Sequence, residues 1–322
     1  MSDATATAAT TTESAPRKRG SWLRRILITL LVIILLLVGA YVAIGAMADA
    51  RLAARFDVAV QPITIPEGDA AAIERGQYLA NAVWLCVECH GKNMAGMVVI
   101  DDSMLGRVTA PNLTAGKGSV TADFASEDWV RAIRFGVGHD KRPLVMMPSD
   151  DYWPWGDEDI ASVVAWVKSL PAVDTDIPPI AIGPIAKLLL VQGQLPLSAE
   201  RLTLLGERPA IAPKGPTAEY GKHLATVCSG CHRPDFSGGP IPGGDPAWPP
   251  ARNITPHEGS GIGKWVQDDF VKAIRKGQRP NGTMLNDKAM PWPGFSNMTD
   301  DDLTALWLFL RSRTPVETTP TN

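Results

Sequence analysis

The chain has 322 residues, with 31 Lys and Arg against 34 Asp and Glu and a formal net charge of −3. Basic residues are concentrated near the N-terminus, so the rest of the chain is more acidic than the whole. That balance excludes a nucleic-acid-binding surface, which needs a basic patch or stripe.

The N-terminal region predicts a tail followed by a membrane anchor. Residues 1–25 are rich in Ala, Thr and Ser and are expected to be disordered. Residues 26–48 contain no charge and are rich in Leu, Ile and Val. At ~1.5 Å rise per residue such a helix spans the ~30 Å core of a bilayer. The basic side chains before it favour a cytoplasmic N-terminus, with everything after Asp49 outside; they are Arg17, Lys18, Arg19, Arg24 and Arg25.

A cleaved signal peptide is the alternative for this segment. Ala46-Met47-Ala48 has the small-x-small pattern of a cleavage site. The apolar run is, however, longer than the ~7–15 residues of a signal-peptide core. A retained single-pass anchor is therefore the prediction.

The exterior region contains an internal repeat. Three short motifs occur twice in the same order, 141 to 143 residues apart: Cys86-Val87-Glu88-Cys89-His90 with Cys228-Ser229-Gly230-Cys231-His232, Asn112-Leu113-Thr114 with Asn253-Ile254-Thr255, and Met147-Pro148 with Met290-Pro291. The repeat predicts two domains of about 100 residues, 66–173 and 214–316. Residues 174–213 are the linker between them.

Apolar spacing in both units is helical, so the predicted class is all-α. Each unit closes with a helix, one beginning near Asp157 and one after Thr299, and Pro171 and Pro315 stop these helices. No convincing run of alternating strand residues is present. Within the linker, the apolar segment 180–190 is too short to span a membrane. It is predicted to pack as a strap, with a position on the bilayer surface as the alternative.

The C-x-x-C-H motifs carry the chemistry. They use all four cysteines, Cys86, Cys89, Cys228 and Cys231. Two thiols three residues apart, followed by His, form the attachment signal of a c-type haem. A four-thiolate zinc site does not need His after both pairs, and a thioredoxin-like thiol pair needs a βαβ context that is absent. Two covalently bound haem c groups are therefore predicted.

The order of motifs resembles class I cytochromes c. The tandem version is similar to the membrane-anchored dihaem cytochromes c, akin to the cytochrome c subunits of periplasmic alcohol and gluconate dehydrogenases. The resemblance covers about residues 66–316, with the linker matched only loosely. It implies a His and a Met axial ligand on each iron, namely His90 with Met147 and His232 with Met290. The dehydrogenase subunits usually carry three such units, whereas this chain has two.

Other methionines and histidines compete for these roles. Met146 is the competitor in the first unit and Met284 in the second, but neither precedes Pro. His139, His223 and His257 have no counterpart in the other unit and are expected at the surface.

A His/Met-ligated haem has no open position for substrate, so the function expected is electron transfer between an exterior donor and the respiratory chain. The chain is expected to have no catalytic activity of its own, to sit in the cytoplasmic membrane and to dock with redox proteins such as a dehydrogenase subunit, a small cytochrome or a terminal oxidase. Two alternatives are a dihaem subunit of a cbb3-type oxidase, whose haem motifs normally lie closer together, and a dihaem cytochrome c peroxidase, which needs one haem without a Met ligand.

Overall fold

The computed structural model describes residues 20–205, 207–245 and 247–318. Most of the predicted tail lies outside these residues. Helix α1 spans Gly20–Ala53, so the last six residues of the predicted tail and the whole predicted anchor are helical. The stretch from Trp22 to Ala53 is long and apolar enough to cross a membrane. One compact unit ends at Ala46 within this helix, and residues from Met47 onward form the second.

The second unit contains both copies of the repeat, and each copy is mainly helical. The first copy contains these elements: α2 (Ala70–Tyr78), a π-helical turn (Leu79–Val83), α3 (Cys86–His90), β1 (Met97–Asp102), β2 (Gly106–Ala110), α4 (Ser126–Phe135), α5 (Ser149–Tyr152) and α6 (Asp157–Ser169). The linker contains β3 (Ala181–Ile182), α7 (Pro184–Val191) and α8 (Ser198–Leu202). The second copy contains these helices: α9 (Ala218–Leu224), α10 (Thr226–His232), α11 (Gln267–Lys276), α12 (Trp292–Phe295) and α13 (Asp300–Ser312). The prediction of an all-α class is confirmed.

In each copy the first and last helices cross at a glycine. A Cβ added to Gly76 would lie 1.9 Å from the carbonyl oxygen of Ser162 in α6, and one added to Gly221 would lie 1.9 Å from that of Ala305 in α13. Only a residue without a side chain allows two helix backbones to approach so closely. The two crossings are therefore equivalent points of the repeat.

The same comparison locates an insertion in the first copy. Gly76 precedes Cys86 by ten residues, whereas Gly221 precedes Cys228 by seven. The π-helical turn and Leu85, which adopts a left-handed conformation with φ 53°, lie within the longer segment. A π-helical turn accommodates extra residues in a helix. The first haem motif thus keeps its place although its helix is longer.

A small antiparallel sheet is an addition to the predicted fold. β1 pairs with β2 with an irregularity between Val98 and Ile100, and β2 pairs with β3 in the linker. The sequence does not predict these strands, because they are short and because β1 has no buried side chain and hence no alternating pattern. The sheet joins the linker to the first copy.

The two copies pack on one another through equivalent elements. α5, which follows Met147, packs against α10, and α12, which follows Met290, packs against the π-helical turn of the first copy. The phenol of Tyr78 donates to Asp302 and accepts from the backbone N–H of Thr299 at 3.0 Å. Buried side chains of both copies belong to one hydrophobic core. The repeat is therefore a single compact body, and the predicted boundaries at 173 and 214 remain a proposal.

Candidate haem sites

Both motif histidines are oriented in the same way. His90 Nδ1 donates to the carbonyl oxygen of Pro111 at 3.0 Å, and His232 Nδ1 donates to that of Arg252 at 2.6 Å. A backbone carbonyl can only accept, so Nδ1 carries the proton and Nε2 is left with a free lone pair. This is the arrangement by which proteins hold a metal-binding imidazole. Burial lowers the pKa of both rings, which favours the neutral form that binds metal.

The repeated Asn-x-Thr motif lies directly after those carbonyls and ties them to the end of each copy. Asn112 Nδ2 donates to the carbonyl oxygen of Val173 at 2.7 Å, and Asn253 Nδ2 donates to that of Val316 at 2.6 Å. Thr255 Oγ1 donates to Asn253 Oδ1 at 2.7 Å, and Thr114 Oγ1 donates to Asn112 Oδ1 at 2.8 Å. All four side chains are buried. The sequence marked these residues as a repeat, but their role in supporting the histidine became visible only in three dimensions.

A cavity of about 340 Å³ in the second copy contains the motif side chains, and its volume falls within the ~300–1,000 Å³ typical of ligand sites. Cys228, Cys231, His232 and Met290 all line it. The rest of the lining is largely apolar and includes these side chains: Ile254, Ile262, Trp265, Phe270, Leu306 and Leu310. Two thiols, an imidazole and a thioether around an apolar cavity fit a covalently attached haem.

The competing methionines are placed differently. Met146 has 42 % of its surface exposed and Met284 has 58 %. Met147 is partly buried and packs against the core, and Met290 lines the cavity. Met284 does not line it. The geometry therefore favours Met147 and Met290, whose role as axial ligands remains a proposal.

The four cysteines are free thiols in the structure. Burial raises the pKa of Cys86 and of Cys228 to about 12, so both are neutral at physiological pH. Cys89 and Cys231 also have raised pKa values, again mainly through burial. No cluster of three or more His, Cys, Asp or Glu suited to a metal ion occurs among the described residues.

The interface between the copies reaches the second haem motif. Trp155 Nε1 donates to Thr226 Oγ1 at 3.2 Å, and Thr226 Oγ1 donates to the carbonyl oxygen of Asp151 at 3.1 Å. A Cβ at Gly230, between Cys228 and Cys231, would lie 3.4 Å from the Asp151 carboxylate. Burial, together with the charge of Asp150, raises the pKa of Asp151 to about 7. Helix α5, which follows Met147, thus contacts α10, the haem-attachment helix of the other copy.

The expectation that His223 lies at the surface was wrong. Its residue surface is 8 % exposed, and its ring centroid lies 4.2 Å from that of Trp155 of the other copy. Its Nε2 has no hydrogen-bond partner, and burial lowers its pKa to about 4. His223 lies where the two copies meet, and Trp155 of the other copy covers its ring. His139 is exposed and His257 is half-buried.

Comparison with known proteins agrees with this geometry. A family model described as cytochrome c matches residues 218–314, and one described as cytochrome c oxidase, cbb3-type, subunit III matches residues 71–167. The chain carries two cytochrome c domains. Each contains one C-x-x-C-H motif, so the cytochrome binds two covalent haem c groups.

Its relatives include cytochrome subunits of dehydrogenases. The cytochrome is 26 % identical over 286 residues to the gluconate 2-dehydrogenase cytochrome c subunit of Pantoea cypripedii, covering 75 % of this chain and 59 % of the relative. It is 38 % identical over 96 residues to the alcohol dehydrogenase (quinone) cytochrome c subunit of Gluconobacter oxydans, covering 28 % of this chain and 20 % of the relative. With the fructose dehydrogenase cytochrome subunit of Gluconobacter japonicus it shares 33 % over 109 residues, 32 % of this chain and 22 % of the relative. The chain thus spans about three fifths of the first relative and about a fifth of the other two.

Proposed function

We propose that this cytochrome carries electrons between an exterior redox donor and the respiratory chain while residues 26–48 anchor it in the cytoplasmic membrane. The observation that carries the proposal is the shared cavity of His232, Met290 and the two thiols of the second motif. A haem bound there supplies one-electron Fe(III)/Fe(II) chemistry. The imidazole of His232 and the thioether of Met290 would both hold its iron, which would leave no free position for a substrate.

The residues of the chain would set the potential and the solvent exposure of each site. The thioether of Met290 favours the ferrous state and thereby raises the potential. The carbonyl of Arg252 holds the imidazole of His232 in one orientation. In the first copy Pro111 does the same for His90, and Met147 provides the thioether. Apolar side chains around the second cavity exclude water from it.

The packing of the two copies supports a relay. Each haem-attachment region contacts the helix that follows the proposed Met ligand of the other copy. The two sites therefore belong to one compact body rather than to domains on a flexible tether. Electrons that enter at one site need no large domain motion to reach the other.

The donor we favour is the catalytic subunit of a dehydrogenase. The relatives named above are cytochrome subunits of gluconate, alcohol and fructose dehydrogenases. Basic residues before the apolar helix support a cytoplasmic N-terminus and haem domains on the outer side. A small cytochrome or a terminal oxidase would accept the electrons.

A spectroscopic redox titration of the purified protein, followed by addition of peroxide, tests the proposal. We expect two low-spin haems, each with the charge-transfer absorption of a Met–iron bond, and no reaction with peroxide. A haem that is high-spin or lacks Met and reacts with peroxide would show a peroxidase instead.

A further inference from the structure

Helix α7 of the linker exposes apolar side chains beside the end of the anchor helix. Ile185 and Leu188 are 40 % and 37 % exposed, whereas Ala186 and Leu190 are buried. Lys187 is the one charged residue of α7, and its ammonium group pairs with Asp49 at 2.6 Å. The helix therefore has an apolar buried side and an apolar outer side, and only the buried side has an identified partner.

The apolar outer surface extends beyond the helix. The backbone N–H of Ile185 donates to the carbonyl oxygen of Met104 at 3.1 Å, and Met104 is 48 % exposed. Ile180, just before β3, is 42 % exposed. We call Met104, Ile180, Ile185 and Leu188 the linker face. Exposed apolar residues grouped in this way typically mark an interaction site.

Contacts within the chain place the linker face next to the end of the anchor helix. Ala48, the last residue of the predicted anchor, is fully buried and clusters with Leu190 and Leu197. Arg51, one turn further along α1, donates to the carbonyl oxygen of Leu190 and pairs with Glu200. Because α7 contacts the C-terminal end of the predicted anchor, the proposed anchoring would hold it close to the outer membrane surface. No soluble partner is needed to cover an apolar face at that depth.

We propose that the linker face lies in the outer interface of the membrane that holds the anchor, in contact with lipid. The proposal rests on the anchoring put forward under the proposed function. Short helices with an apolar face lie in this way at bilayer surfaces, about 5–10 Å into the headgroup boundary. Val145, two residues before Met147, also packs on the cluster around Ala48. This contact links the segment just before Met147 to the end of the anchor.

Site-directed spin labelling of the full chain tests the proposal. All four native cysteines are used by haem, so a single introduced cysteine takes the nitroxide label. We would label Leu188→Cys, with Leu308→Cys as the matched control and Ala40→Cys as the probe of the anchor. Leu308 is 40 % exposed and lies on α13 of the second copy. Each variant is reconstituted with both haems in phosphatidylcholine nanodiscs, and collision with oxygen and with a water-soluble nickel chelate is measured.

We expect the ratio of oxygen to nickel collisions at position 188 to exceed that at 308 several-fold and to approach that at 40. A lipid-like ratio at 40 with a water-like ratio at 188 would overturn the proposal and leave the anchor intact. Low collision with both reagents at 188 would also overturn it, because protein would then cover the face. A water-like ratio at 40 would reject the anchoring and the proposal together, while the redox titration would still report on electron transfer.

Discussion

At the scale of single residues, the proposed haem chemistry of this cytochrome depends on methionine and histidine side chains. Ten methionines occur in the chain, and a methionine is usually a flexible filler of the core. Met290 is different because it lines the same cavity as His232. Met284, six residues earlier, is 58 % exposed and is its natural control.

Replacement of Met290 by Ala should lower the potential of the second haem and allow carbon monoxide to bind its iron. The loss of a soft thioether ligand removes stabilisation of the ferrous state, and axial ligands tune haem potentials over ~0.8 V. We expect a decrease of tenths of a volt, measured by redox titration, and no change for Met284→Ala. An unaltered potential in Met290→Ala would mean that another residue is the ligand.

His223 makes stability depend on pH. Its pKa is lowered to about 4, first by burial and then by the charges of Arg75 and Lys214, with Asp159 opposing them. An unfolded His titrates near ~6.5, so between these values the unfolded chain binds a proton that the folded chain does not. The stability that neutral His223 provides is present above pH ~6.5 and is lost as the pH falls toward 4.

His223→Gln should remove this part of the acid sensitivity. At ~1.4 kcal/mol per pKa unit, the difference is worth up to about 3 kcal/mol at pH 4. Denaturant unfolding at pH 7.5 and at pH 4.5 measures it. The raised pKa of Asp151 makes the protein less stable as the pH rises. Both proteins contain Asp151, so its contribution cancels when their pH dependences are compared. Equal pH slopes for the two proteins would count against a buried neutral His223.

At the scale of elements, each copy depends on one close helix crossing, and the final helix of the second copy also has a side-chain cap. Thr299 Oγ1 accepts from the backbone N–H of Asp302 at 3.1 Å and thereby caps α13. The Asp302 carboxylate instead accepts from Tyr78 of the other copy. Asp302, in the first turn of α13, thus serves the interface between the copies.

Gly221→Ala should destabilise the second copy, because its Cβ would collide with a backbone oxygen of α13 that cannot rotate away. The expected cost is at least ~1–3 kcal/mol, the usual range for overpacking. Gly45→Ala is the control, since Gly45 also lies in a helix and has no atom within 4 Å of an added Cβ. Thermal unfolding followed by circular dichroism compares them. Equal melting temperatures would show that the helices can separate at little cost.

At the scale of the whole molecule, the two copies behave as one body because their contacts are both apolar and polar. Arg75 Nη2 donates to Tyr220 Oη of the other copy at 3.3 Å and pairs with Asp159 at 3.0 Å. Burial raises the pKa of Tyr78 further above the physiological range. The Tyr78 phenol therefore stays protonated at neutral pH and donates to the Asp302 carboxylate.

The two copies should unfold in one cooperative transition. Hydrogen exchange in α4 and in α11 would report on each copy separately, and coincident curves in denaturant are the test of cooperativity. Tyr78→Phe, which removes the contacts to Asp302 and Thr299, should separate the curves. Two transitions in the unaltered protein would instead describe independent domains joined by a linker.

The sequence by itself determined the features that depend on residues close together in the chain. Thiol spacing followed by His predicts covalent haem, an uncharged apolar run predicts a spanning helix, and repeated motifs predict two helical copies. Each needs only covalent geometry or local periodicity. Met-Pro in both copies likewise predicts Met147 and Met290 as the ligands, and the competing Met146 and Met284 are exposed.

Only the tertiary structure decided which residues far apart in the sequence contact one another. Burial of His223 depends on Trp155, 68 residues earlier, and no local pattern reports that the other copy covers it. The role of Asn253 depends on the carbonyl of Val316, and the placement of α7 depends on Ala48. Such contacts arise because apolar surface is buried wherever the folded chain brings it together, and that force has no direction along the sequence.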